Sequence, residues 1–429
     1  MKQVKIGIIG FGTVGAGVAA YLLENKTVIA KRIDMQLTLI GISDINIVTE
    51  RDVNVPKELL TTDTNELIEK SDLIVELIGG ITVAKDYILK ALKQGKPIVT
   101  ANKALLAEHG EELFAAAENS RANIYYEASV AGGIPIIKSL REGLAGNRIE
   151  KICGILNGTC NYILTKMEQD KTEFNTVLKK ARELGYAEAD PSFDIDGIDT
   201  AHKAVILASL AYGEWFRMKP IYIEGIRNIS VIDIKFAEEL EYKVKLLGII
   251  KKSKDNVQIG VHPALIPSQK LMADIGGVNN GVFVKGIPVG EVLFCGRGAG
   301  MEATSSAVIA DIIDVALNLK FSSHGRVPAF RTGKQFKNLI KMEDITTRYY
   351  IRVQVKDQLG VFSRISTILG EEKISISSLL QKEKHSTESV PIVIITHETQ
   401  EKNISTAVKR IETLDVVIGK VNIIRIEDF

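Results

Sequence analysis

Cysteine is scarce: Cys153, Cys160 and Cys295 are the only three in 429 residues, an odd number without a CxxC spacing. That argues against both a disulfide framework and a zinc site, and it fits a reducing cytoplasm. An excess of one charge is also missing. The 54 Lys and Arg nearly cancel the 53 Asp and Glu, so no general field holds nucleic acid or an anionic membrane, and any anion must be bound locally. Long apolar runs are absent too. Nowhere do about 18 uncharged apolar residues follow one another, as a membrane span requires, and the first apolar run is too short for a secretory signal. The expectation is a soluble, unexported, cytoplasmic protein. No repeat or low-complexity tract is present. What remains is ordinary globular material, 45% apolar and 25% charged, long enough for about three domains at roughly 150 residues each.

The first third alternates short β-rich runs with helical stretches, the pattern of a parallel sheet covered on both faces. Strands are expected at Val4–Ile9, Gln36–Ile42, Asp72–Leu77, Pro97–Thr100 and Asn123–Tyr126, and a helix from Thr82 to Gly95. From about residue 134 the alternation weakens. Residues 159–212 read as mostly helical, and 242–296 as β-rich runs broken at Lys254-Asp255-Asn256 and Asn279-Asn280-Gly281. A periodic helix, Glu302–Leu319, follows, and 321–347 read as a linker. The last stretch reads as strand Tyr349–Val355, helix Val361–Gly370, strands Ile374–Leu380 and Val390–Thr396, helix Glu401–Glu412 and strand Val416–Ile426, a ferredoxin-like βαββαβ order. The fold class is therefore α/β: a doubly wound nucleotide domain, an α+β domain and a ferredoxin-like module.

Gly10-Phe11-Gly12-Thr13-Val14-Gly15 follows a strand directly and opens a helix. The first glycine permits the tight turn, the second lets backbone N–H groups approach a pyrophosphate, and the third lets helix and strand pack closely. Asp44 ends the second strand and would accept the ribose hydroxyls of NAD, although it lies farther from the glycines than the usual spacing. An NADP site would want a cation there, and the nearest downstream is Arg51. Thr100-Ala101-Asn102-Lys103 ends another strand, at the edge where ligands collect in open α/β sheets. The densest cluster runs from Ala181 to Lys203 and holds Tyr186, Glu188, Asp190, Asp194, Asp196 and Asp199. Asp199 and Lys203, four apart on a helix, share one face, which continues through Ile206 and Leu210 and so points inward. Carboxylates crowded into a Gly/Pro-punctuated loop are costly unless a cationic ligand neutralises them.

The run Ala181-Arg-Glu-Leu-Gly-Tyr-Ala187 through Asp190-Pro191, Asp194, Gly197 and Asp199 to Lys203 resembles the signature of homoserine dehydrogenases. Gly10–Gly15, Thr100–Lys103, Glu127–Pro135, Gly154–Thr159 and Gly296–Gly300 match that family in the same order, over residues 1 to about 320. Residues 348–429 resemble the regulatory ACT domain of its single-function members. The resemblance implies NAD(P)-dependent interconversion of L-homoserine and L-aspartate 4-semialdehyde in threonine and methionine biosynthesis. It implies Lys203 as the proton-transfer residue with Lys103 as companion and Asp199 to orient Lys203. Two neighbouring amines each disfavour protonation of the other. It further implies Glu188, Asp194, Tyr186, Gly158 and Thr159 around the amino-acid substrate, and Gly298 and Gly300 against the cofactor. Glu127, with the carbonyls of Val130, Gly132 and Ile134, would hold a sodium-like ion, and Asp357 and Gly360 belong to the effector turn, threonine being the usual effector. Domains are then expected at 1–133 completed by 300–320, 134–299 for substrate and dimerisation, and 348–429, in a homodimer or homotetramer.

Two departures stand out. The family's Val-Arg-Asp after the second strand is Ile42-Ser43-Asp44 here, and its Asp-x-Pro-Gly is Asp357-Gln358-Leu359-Gly360. Competing readings are a dehydrogenase that acylates a cysteine and an inactive amino-acid sensor; the first needs a thiol with a base in reach, and no cysteine here has that setting.

Overall fold

The computed structural model describes residues 2–49, 51–323, 330, 336, 338–381 and 389–429. Of the expected 321–347 linker, residues 324–329, 331–335 and 337 lie outside the described residues, while Asn338–Leu339 is a short strand paired with Asn256–Val257 rather than linker. The chain forms two compact units, the first from residues 1–152, 202–219 and 279–337, the second from 153–201, 220–278 and 338–429.

The first unit is built on six parallel strands: β1 (Gln3–Ile9), β2 (Gln36–Ser43), β3 (Leu60–Thr61), β4 (Leu73–Glu76), β5 (Ile98–Thr100) and β6 (Ile124–Tyr125), ordered β3-β2-β1-β4-β5-β6. Helices α1 (Thr13–Glu24), α2 (Lys26–Ile33), α3 (Thr64–Lys70), α4 (Thr82–Lys93) and α5 (Lys103–Asn119) connect them. Strands covered on both faces are apolar throughout, and every residue of β4 is accordingly buried. The order reverses between β1 and β4, so a crevice for ligands is expected outside their carboxyl ends. Helix α2 was not expected from the sequence; it is inserted between α1 and β2 and accounts for the long spacing from the glycine turn to Asp44. The helix Met301–Phe321 returns to this unit. Its Val308, Ile312, Val315 and Ala316 join the core of Ile6, Ile8 and Val18, and it lies so close to α1 that a Cβ on Gly17 would stand 2.4 Å from Met301 Cγ.

The strands Asn279–Ile287 and Gly290–Arg297 form an antiparallel hairpin in the first unit. Asn279-Asn280-Gly281 is therefore not a break, as the sequence suggested, but the start of a strand. Pairing with Cys295, Gly296 and Arg297 overrides the weak β propensity of these residues.

In the second unit, Tyr242–Ser253 and Asn256–Pro267 form a long antiparallel hairpin. Strand Asn422–Ile426 pairs parallel to the second arm at Ala264 and Leu265, and antiparallel to Thr346–Lys356. Strand Ser389–Thr396 then pairs with Thr346–Lys356, and Ile376–Gln381 with Ser389–Thr396. With the helices Val361–Glu371 and Glu401–Glu412 this is the expected βαββαβ module, its core drawn from Ile351, Val353, Ile365, Ile394, Ile404 and Ile411. The last strand is shorter than expected: Val416–Val421 makes only an isolated bridge from Val417 to Val355, and Gly419 has φ 74°.

Candidate functional site

The glycine turn carries the first half of the site. Gly10 has φ 110°, and a Cβ there would stand 2.5 Å from the Leu77 backbone. Gly15 lies so close beneath the turn that a Cβ would meet the Gly10 carbonyl oxygen at 2.0 Å. Gly12 is different: a Cβ there meets nothing within 4 Å. It caps α1 without a side-chain hydrogen bond, and Gly12 and Thr13 are exposed with Val14 half-buried. Free N–H groups at a helix start that open to solvent suit a pyrophosphate. The residues present therefore fit a dinucleotide.

Asp44 and Arg51 bracket Phe11. The Phe11 N–H donates to Asp44 Oδ2 at 2.6 Å, and Asp44 Oδ1 accepts from the Asn46 N–H at 2.8 Å. Arg51 Nε donates to the Phe11 carbonyl at 2.7 Å, with its guanidinium 4.7 Å above the ring.

Thr100, Asn102 and Lys103 lie where β5 meets α5, tied to the exit of β4 by Glu76, which no motif had marked. Glu76 is fully buried. It accepts from the Ile78 N–H at 3.0 Å and from the Thr100 hydroxyl at 2.6 Å, and burial raises its carboxyl above the ordinary value despite these donors. Thr100 Oγ1 accepts from the Asn102 N–H, and Asn102 donates to the Gly80 carbonyl and caps α5 at Leu105. Lys103, half-buried, opens that helix. A lone acid at the end of the apolar run Leu73-Ile-Val-Glu76 was the signal available in the sequence.

Gly298 and Gly300 pack beside the Glu127 loop. The Gly133 N–H donates to the Arg297 carbonyl at 3.1 Å, and a Cβ on Gly132 would stand 2.5 Å from the Gly298 backbone. Gly300, φ 104°, caps the helix Met301–Phe321. Glu127 accepts from the N–H groups of Ile137 and Lys138, each at 2.8 Å, and its own N–H donates to Asp311 Oδ2 at 2.8 Å. The Ile134 carbonyl accepts the Ile136 N–H, and Val130 is buried. Burial pushes the Glu127 carboxyl up to about 7; burial and the Glu127 charge push Asp311 well up. Among the described residues no group of three or more His, Cys, Asp and Glu is placed to hold a metal ion.

In the second unit, Asn157 joins two of the expected acids. Its Nδ2 donates to Asp194 Oδ1 and to Asp199 Oδ2, each at 2.8 Å, while its Oδ1 caps the helix Gly158–Asp170 at the Cys160 N–H. Gly158 opens that helix against the Val278 carbonyl. The Thr159 hydroxyl donates to the Tyr186 carbonyl at 2.7 Å, and the Tyr186 ring lies 4.8 Å from that of Tyr162. Glu188, in contrast, is exposed. The helix Ile198–Tyr212 carries Asp199, which belongs to the second unit, and Lys203, which belongs to the first. Asp199 (3% exposed), His202 and Lys203 (8%) are all buried on it. Apart from these, Asp357 is exposed and Gly360, φ 80°, caps the helix Val361–Glu371.

Family models with this order of elements match most of the chain: "Homoserine dehydrogenase, NAD binding domain" over residues 10–127, "Homoserine dehydrogenase" over 135–313 and "ACT domain" over 349–416. A homoserine dehydrogenase of Neisseria gonorrhoeae is 45% identical, covering 100% of this chain and 99% of its own length. The chain belongs to the homoserine dehydrogenase family. It has that family's oxidoreductase function, with an NAD(P)-binding domain and a C-terminal ACT domain. A homoserine dehydrogenase of Bacillus subtilis is 37% identical over 97% of this chain and 96% of its own. The crystal structure of a homoserine dehydrogenase from Thiobacillus denitrificans superposes with a TM-score of 0.93 at 43% identity, covering 100% of this chain and 99% of that one. A hyperthermophilic archaeal homoserine dehydrogenase in complex with NADPH superposes at 0.62, with 30% identity over 74% of this chain and 98% of that one. Among the described residues no helix is long and apolar enough to cross a membrane.

Proposed function

We propose that this chain interconverts L-homoserine and L-aspartate 4-semialdehyde, with Lys203 moving the proton, Lys103 beside it as companion amine and Asp199 orienting Lys203. The observation that carries this reading is the burial of Asp199 and Lys203 one turn apart on one helix, with Asp199 joined to Asp194 through Asn157. The nicotinamide, when bound, supplies the hydride acceptor for oxidation and the donor for reduction. Lys203 takes the hydroxyl proton as the carbonyl forms and returns it in the reverse direction. Asp194 and Glu188 pair with the substrate ammonium, and Tyr186, Gly158 and Thr159 shape the amino-acid pocket. Gly10–Gly15 with Gly298 and Gly300 hold the dinucleotide, beside Thr100 and Lys103. Lys203→Ala is expected to lower turnover by about 10²- to 10⁴-fold, followed at 340 nm, with cofactor affinity within a few-fold; retained turnover would remove Lys203 from its role. Cys160→Ser keeps turnover if no thiol is acylated.

We infer NAD as one cofactor through Asp44, and NADP as the second reading, favoured by the Arg51 guanidinium held over Phe11 and by the NADPH bound to the archaeal relative. Initial rates with each cofactor decide. Glu127, Val130, Gly132 and Ile134 form a monovalent-cation loop in this proposal, and Asp357 and Gly360 the effector turn, with threonine the first compound to test. The physiological setting we infer is cytoplasmic threonine, methionine and isoleucine biosynthesis by a homodimer or homotetramer.

A further inference from the structure

We propose that Asn157 is a positioning residue that sets the spacing of the substrate acids, a role separate from its capping of a helix. The inference rests on the reading of Asp194 and Asp199 given above.

A primary amide carries two hydrogens on one nitrogen and an acceptor oxygen. Here all three are used. Oδ1 takes the Cys160 N–H at 2.8 Å, the ordinary bond of a helix cap. The two hydrogens go to two different carboxylates, Asp194 Oδ1 and Asp199 Oδ2, at equal distances of 2.8 Å. Serine or aspartate would cap as well as asparagine, but neither offers two donors diverging from one atom. The residue type is thus selected by the acids.

The surroundings hold both acids from other directions. Asp199 is 3% exposed and Asn157 5%, so water competes little for these bonds. Cys160 Sγ donates to the Asp194 carbonyl at 3.2 Å, fixing the backbone beneath the carboxylate that Nδ2 grips. Asp194 belongs to a short helical turn, Ser192–Ile195, and Asp199 to the next helix; between them Gly197 has φ 87°. Two like charges on such a joint repel. The amide bridges them, so that one carboxylate is presented for the substrate ammonium while the other is kept at the start of the helix that carries Lys203.

The test uses variants that keep the cap. Asn157→Ser retains an acceptor for the Cys160 N–H and loses both bridging donors. It is expected to raise the homoserine KM about tenfold, the scale of losing a hydrogen bond to a charged group, with the cofactor KM within twofold, while the loss of two buried hydrogen bonds lowers the melting temperature by a few degrees. Asn157→Asp also caps, and sets a third carboxylate against two; the acid limb of kcat/KM for homoserine is expected to move to higher pH. Asp194→Asn, assayed in parallel, checks the underlying reading. If Asp194→Asn raises the homoserine KM while Asn157→Ser and Asn157→Asp match the parent enzyme in KM and pH profile, Asn157 is a cap only and the proposal falls. If Asp194→Asn itself leaves homoserine KM unchanged, the acids do not bind substrate and the reading beneath the proposal falls with it.

Discussion

Glu127 has a carboxyl pushed up to about 7 from its ordinary 4.5, chiefly by burial, and faces Asp311, raised for the same reason. A carboxyl whose folded value is raised favours the folded state at low pH, where it is protonated. That contribution is complete below about 4.5 and is lost as pH rises through about 7. A cation among the nearby carbonyls would counter the loss by favouring the charged form. In buffer free of sodium and potassium the melting temperature is expected to fall from about pH 5 to pH 8, less steeply in Glu127→Gln. Added sodium should restore it above pH 7 in the parent more than choline at equal ionic strength; equal effects of the two salts would count against the ion. The sequence marked Glu127 only through resemblance. Its two N–H donors and its acidic neighbour, 184 positions away, are products of folding that no local spacing encodes. Glu76 was hidden for a similar reason, since a single acid ending an apolar strand is ambiguous until its partner, Thr100, is known.

At the scale of elements, the glycine turn separates two demands that the motif merges. A Cβ at position 15 would lie 2.0 Å from the Gly10 carbonyl oxygen, whereas one at position 12 would meet nothing. Gly15→Ala is expected to lower the melting temperature by several degrees, because backbone must shift. Gly12→Ala should melt like the parent yet raise the cofactor KM more than tenfold, because the added methyl occupies the space a pyrophosphate approaches. A normal cofactor KM in Gly12→Ala would show that the turn does not hold the dinucleotide. Most long elements were legible: β1, β2, the helix Thr82–Lys93 and the βαββαβ module apart from the first half of its last strand fall within a few residues of where periodicity puts them. Three kinds were not. Helix α2 lacks a strong apolar stripe and buries only Ile29 and Ile33, β3 is two residues long, and Asn279–Gly281 owes its extended form to its partner strand.

Across the molecule, the second unit is bound by buried charge. Arg425 pairs with Glu401 at 2.6 Å and with Glu224 at 2.7 Å, joining the C-terminal module to the segment that precedes the long hairpin. Arg352 pairs with Asp233, which also accepts from Tyr350 and Asn422. Removing Arg425 takes the counter-charge from the buried Glu401 and the half-buried Glu224, to which the Tyr349 and Tyr222 hydroxyls still donate. Arg425→Met is therefore expected to cost about 3–5 kcal/mol, measured by denaturant melts, and a cost under about 1 kcal/mol would contradict the burial. None of this was legible. Glu224 and Arg425 lie 201 positions apart, and charged residues read one at a time look like a solvated surface.

The strand Asn422–Ile426, set between two strands that begin 166 and 76 residues earlier, also governs when the protein can assemble during synthesis. Residues 279–337, the last portion of the nucleotide-binding unit, leave the ribosome well before this strand does. That unit can close on the nascent chain, whereas the one built on the long hairpin must wait until translation is nearly over. A chain stalled shortly before residue 420 would thus be expected to capture dinucleotide while its second unit is still unfinished.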